Sequence, residues 1–133
     1  MDNRSLGKIS IGLRLRKYVV ELTVIDWNRV GELRDEIGAE DFTEVVDLFL
    51  EEVDEIVERL AQAPDPARYE EDMHFLKGSA LNLGFQAFAA LCANGEQKAA
   101  AGDCGAVDLG AVLDCYHTSK AEFIAQLKAG EAA

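Results

Sequence analysis

The sequence predicts an all-α protein: an antiparallel up-down four-helix bundle with a short N-terminal capping helix. Three observations predict it. Four long segments repeat apolar residues at the 3.6-residue helical spacing. The links between them are short and carry Pro, Gly and Asp, residues that stop one helix and start the next. Alanine, leucine and glutamate are abundant, and only two prolines occur in 133 residues, so helix is locally favoured. A chain of this length is one domain by size, and roughly two-thirds of its unfolded surface should be buried on folding.

Residues 1–25 stand apart from the rest. Ile9, Ile11, Leu13 and Leu15 alternate with Ser10, Gly12, Arg14 and Arg16, a strand-like period of two, and Val19, Val20, Val24 and Ile25 continue the β-branched character. A lone strand has no partner in a helical protein. The segment therefore reads as an N-terminal extension: a docking strand, a short hairpin or a poorly ordered tail. The bundle is expected over 26–130.

Asp26 caps a short helix that carries Val30, Leu33 and Ile37 and stops at Gly38. Asp41, with Glu44 three residues on, opens the second helix as a capping box. Its apolar stripe is Phe42, Val45, Val46, Phe49, Val53, Ile56, Val57 and Leu60, all within about 60° of one line. Asp47, Glu51, Glu52, Asp54, Glu55 and Glu58 fill the other face, and Ala63-Pro64-Asp65-Pro66 ends the helix. The third helix runs from about Ala67 to Leu83, with Tyr69, Met73, Leu76, Ala80 and Leu83 inward and Gly84 as its break. The fourth, from Gln86 to Ala101, turns Phe88, Leu91, Cys92, Gly95 and Ala99 inward. Glycine costs about 1 kcal/mol in a helix interior, so Gly95 implies a close helix approach. The fifth, from Asp108 to Lys128, turns Leu109, Val112, Tyr116, Phe123 and Leu127 inward. Short links between helices make an antiparallel bundle.

Charge narrows the function. The formal net charge is −12. Arg4, Lys8, Arg14, Arg16 and Lys17 make the first seventeen residues basic, against the single acid Asp2, so the acidity belongs to the body. Such a body repels nucleic acid phosphates and anionic membranes, and no apolar run approaches the ~20 residues of a membrane span. Arg14, Arg16 and Lys17 interrupt any secretory apolar stretch. Cys92, Cys104 and Cys115 have no CxxC spacing, and an odd count without an export signal reads as reduced thiols. The expected address is cytoplasmic, and the expected state is a monomer.

The third helix carries the chemistry. With His74 at 0°, the core residues lie between about 180° and 260°, so His74 points outward. Lys77, Gly78 and Leu81 share its face. An exposed neutral imidazole is a nucleophile near pH 7. A lysine one turn away can balance an added phosphoryl charge, and Gly78 leaves room for a partner to approach. Leu81 is an apolar side chain where a solvated helix normally carries a polar one; Phe75 flanks the site or packs on the second helix, and Phe85, just past Gly84, reads as a plug of the bundle end. Ser79 lies nearer the core edge, and His117 reads as incidental.

His74-Phe75-Leu76-Lys77-Gly78-Ser79-Ala80, followed by Leu83-Gly84, resembles the H-x-L-K-G-S-[SA]-x-x-x-G pattern of histidine-containing phosphotransfer domains. The resemblance covers about 26–128. It includes the Asp-capped helix with its Phe-Leu-Glu-Glu stretch and the later Ala-Leu-Cys followed by Ala-Gly-Asp. It implies a four-helix bundle with an exposed phosphorylated histidine, here His74. It also implies phosphoryl shuttling between aspartates of response-regulator receiver domains, with a hybrid sensor kinase as a further partner. No nucleotide, metal or other cofactor is implied. The chain is thus expected to be a carrier rather than an enzyme, with Lys77, Gly78 and Leu81 supporting transfer and docking. Gly95 departs from the apolar residue expected there, and residues 1–25 have no counterpart. Two other readings compete. A non-phosphorylated adaptor could use the same face to bind receiver domains. A metal-binding bundle could use Glu71 with His74 and Asp114 with His117, but those ligands would have to face inward.

Overall fold

The computed structural model describes residues 10–15 and 18–132, with side chains from 24 to 129. Strands β1 (Ser10–Leu15) and β2 (Tyr18–Thr23) pair antiparallel, from Ser10 opposite Thr23 to Leu15 opposite Tyr18. Of the three forms open to the extension, this is the hairpin. The facing of its alternating side chains, and the charges at 1–9, 16 and 17, lie outside the described residues. From Trp27 onward all regular structure is helical: α1 (Trp27–Ile37), α2 (Phe42–Gln62), α3 (Tyr69–Leu83), α4 (Gln86–Ala100) and α5 (Leu109–Ala132).

Asp26 caps α1 as expected, its carboxylate accepting from the amides of Asn28 and Arg29 at 3.1 and 3.3 Å. Gly38 ends the helix at φ 98°, donating its amide to the Arg34 carbonyl. The capping box at α2 does not form. Asp41 has a helical backbone (φ −97°, ψ −6°) and makes no side-chain cap. A box needs an extended cap residue to aim its oxygen at the first free amides. Instead Asp41 donates its amide to Gly38 in a turn. The expected α3 start at Ala67 is a 3-10 turn over Pro66–Arg68, and the α-helix proper begins at Tyr69.

One core runs through the molecule. α2 contributes Phe42, Val46, Leu50, Val53, Val57 and Leu60; α3 contributes Tyr69, Met73, Leu76, Ala80 and Leu83. Leu50 belongs to this stripe although the reading of the sequence passed over it, whereas Val45, Phe49 and Ile56 form the half-buried rim. Aromatic rings hold one end together. Phe85 meets Phe123 edge-on at 5.2 Å, Tyr116 packs on both Phe85 and Phe88, and Trp27 stacks on Phe123 at 5.9 Å. Through Trp27 on α5, Arg34 over the Phe42 ring and Arg29 on the Asn82 carbonyl, α1 is tied to three of the longer helices.

The last two residues assigned to the extension pack with the bundle. Val24 and Ile25 are buried with the core. Gln86 donates its amide to the Val24 carbonyl at 3.1 Å, and Asp26 donates to the Gly84 carbonyl at 2.7 Å. Gly84 sits at φ 77°, and a Cβ there would come within 2.7 Å of the Asp26 carbonyl oxygen. Glycine is thus required twice, for its left-handed backbone and for this close approach.

Candidate functional site

The α3–α4 hairpin builds the site. Gly84 and Phe85 turn the chain back on itself, so residues about equally distant from that turn become neighbours. Met73 packs against Gly95 in the core layer, and His74 meets Glu96 at the surface above it. The His74 Nδ1 lies 2.7 Å from Glu96 Oε2, and the Lys77 ammonium donates to Oε1 of the same carboxylate at 2.5 Å. One carboxylate therefore ties imidazole and ammonium together, with a separate oxygen for each.

Their exposures differ. The His74 side chain is 70% exposed, against 30% for Lys77 and 20% for Glu96. The Lys77 hydrogen bond, and after it the His74 one, hold the Glu96 carboxyl below the usual carboxylate range. An ionised carboxylate only accepts hydrogen bonds, so His74 Nδ1 is the donor and carries the proton. The neutral ring's lone pair is then on Nε2, which has no hydrogen-bond partner among the described residues. A carboxylate behind an imidazole fixes its tautomer and orientation in this way.

The other residues read from the sequence fall as follows. Gly78 is exposed, and a Cβ there would meet nothing within 4 Å, so no internal packing requires the glycine. Leu81 is 57% exposed, as its helical phase predicts, and sits by a small cleft shared with Asp26, Arg29 and Gln86. Phe75 is half out at 38%. Phe85 is fully buried and plugs the bundle end. His117 is exposed on α5 against the Tyr116 ring and lines a depression with Glu58 and Lys120, apart from His74. Glu71 and His74 do border one depression, together with Glu70, Ala67 and Glu96. Among the described residues no group of three or more His, Cys, Asp or Glu side chains could hold a metal ion.

Glu96 is the site residue that sequence reasoning missed. Two signals could have found it. It follows Gly95, the small residue that marks the tight helix contact, and Gly95 lies as far beyond Gly84 as Met73, the neighbour of His74, lies before it.

The model of the Hpt domain family matches residues 44–129. The chain belongs to that family. Hpt domains carry phosphoryl groups in two-component signalling, exchanging them with receiver domains and kinases. No curated protein and no solved structure matches the chain. Among the described residues no helix is long and apolar enough to cross a membrane.

Proposed function

We propose that residues 26–130 form an up-down four-helix phosphorelay intermediate that accepts a phosphoryl group on His74 from a receiver-domain aspartate and passes it to another receiver. One observation carries this reading: an exposed imidazole has Nδ1 tied to an ionised carboxylate and Nε2 open to solvent. The Nε2 lone pair attacks phosphorus, an N–P bond forms, and the P–O bond to the partner's carboxylate breaks. The proton stays on Nδ1 against Glu96, which balances the positive charge that the ring gains. Transfer onward reverses these steps at a second aspartate.

The neighbours have separate tasks. Lys77 already holds the carboxylate that holds the ring and exchanges it for the incoming phosphoryl oxygens. Gly78 leaves the partner's approach clear. Leu81 offers the apolar contact of a transient interface, the kind of patch that survives exposure because a partner covers it. The partners are response-regulator receiver domains, with a hybrid sensor kinase as a source upstream.

The test uses a phosphorylated receiver domain with isotopically labelled phosphate. The label should move to this chain as an acid-labile, base-stable phosphate and then pass to a second, unlabelled receiver. A chain that binds the receivers but never takes the label would instead be an adaptor.

A further inference from the structure

Beneath the His74–Glu96 contact lies a layer that the chemistry above does not use. Gly95 is buried, and a Cβ built on it would come 3.2 Å from the Met73 sulfur, 3.3 Å from Met73 Cγ and 3.5 Å from Val107 Cγ1. Met73 and Val107 belong to different elements. Met73 lies on α3 next to His74 in sequence; Val107 closes the 3-10 turn Cys104–Ala106 that follows α4. That turn is itself held to α4, since Lys98 donates to the Ala106 carbonyl at 3.3 Å. At Gly95, then, α3 and the following loop both close on α4. A methyl group there crowds Met73, at 3.2 and 3.3 Å, and touches Val107 at an ordinary 3.5 Å.

This clamp has a consequence one residue further along. Glu96 is rigidly coupled to Gly95 through the helix, as His74 is to Met73. The spacing of the buried Gly95–Met73 pair therefore sets the spacing of the Glu96–His74 pair above it. We propose that Gly95 is a positioning residue for the His74 site: its missing side chain lets α4 come close enough for the Glu96 carboxylate to hold His74 Nδ1 and Lys77 together. Hydrogen bonds weaken steeply with length and misalignment, so a few tenths of an ångström at Gly95 reach the imidazole as a weaker tie. The inference rests on the reading of His74 as the phosphoryl carrier for its functional meaning, though not for its geometry.

Two readouts on the full chain separate these. Nitrogen-15 and proton NMR of labelled His74 report the Nδ1–H tautomer and the strength of its hydrogen bond without any phosphoryl donor. Phosphoramidate, a small-molecule donor that needs no partner protein, reports the rate at which His74 accepts. Gly95→Ala should move the Nδ1 proton signal toward that of a weaker hydrogen bond. Gly95→Val should move it further and slow acceptance at least about threefold, as expected of a displaced reacting group. Met73→Ala in the Gly95→Ala background removes the atoms that the methyl meets, so the wild-type signal should return. A structural glycine predicts a different pattern. The variants would melt at a lower temperature while the His74 signal stayed in place, and an unmoved signal in Gly95→Ala would overturn the proposal. If the signal shifts as expected but no variant, nor the parent, accepts phosphate at His74, the carrier reading fails while the positioning role stands.

Discussion

Two carboxylates in this molecule are bound in nearly the same way. Glu96 joins the His74 ring and the Lys77 ammonium on the α3–α4 side. Asp54 joins the Tyr116 hydroxyl, at 2.5 Å, and the Lys120 ammonium, at 2.7 Å, on the α2–α5 side. Each thus pairs one ring with one lysine. What differs is the ring. Tyr116 is fully buried, packed on Phe85 and Phe88, and burial together with the Asp54 contact pushes its phenol far above the ordinary range. It stays protonated and donates one hydrogen bond. His74 is mostly exposed and keeps a second nitrogen free. The same bridge is therefore a tie between helices in one place and, under the proposed function, the support of a nucleophile in the other. On that proposal reactivity follows from the exposed second atom rather than from the bridge.

The largest effect that can break this comparison is at the ring itself. His74→Gln should abolish phosphoryl acceptance and leave the unfolding free energy within the scatter of an ordinary surface substitution, about 0.5 kcal/mol. His117→Gln should change neither, because no carboxylate hydrogen-bonds to that ring among the described residues. Tyr116→Phe should do the converse of His74→Gln. It leaves acceptance intact and costs about 1–2 kcal/mol in denaturant unfolding, since it removes a buried donor and one partner of Asp54. A Tyr116→Phe chain that kept full stability but lost acceptance would reverse the roles assigned to the two bridges.

Smaller effects sharpen the picture. Leu81→Asp should weaken receiver binding by at least ~1 kcal/mol in a titration, the level of a significant interface contact. Stability should barely change, since Leu81 is more than half exposed in the free protein. The smallest effect is in pH. The Glu96 carboxyl is depressed below its ordinary value of 4.5 by Lys77 and then by His74. Its bridge therefore contributes fully above that ordinary value and is lost only as the pH falls through the depressed one. The Glu96 side-chain carbonyl signal in NMR should titrate with a midpoint under 4.5. A midpoint at or above it would mean that the bridge does not persist in solution.

Much of this was legible because it depends on spacing within one helix. The core stripe of α3, the outward phase of His74, Leu81 and Gly78, the Asp26 cap and the Gly38 and Gly84 stops are all local periodicities or backbone requirements. What escaped depends on which helices touch and at what height. Asp72 falls at the edge of the α3 core stripe and is buried because Arg59 of α2 grips both its oxygens, at 2.7 and 3.1 Å. Nothing in either helix alone announces that pair. Asp54 escaped for the same reason, as one more acid on a solvated face, and Glu96 drew no reading at all. The hairpin was only one of three open forms, because alternation specifies a strand but not its partner. Asp41 misled in the opposite direction. Its capping pattern was present, but the turn from Gly38 put its backbone in the wrong region to use it.

The most direct measurement is the position of phosphorus on the ring. The chain, labelled with nitrogen-15 in its histidines, is phosphorylated by phosphoramidate, and phosphorus–nitrogen couplings are read by NMR. Phosphate should sit on Nε2 of His74, with the proton still on Nδ1. Phosphate on Nδ1 of His74, or on His117, would contradict the claim that Glu96 reserves one nitrogen and leaves the other to react.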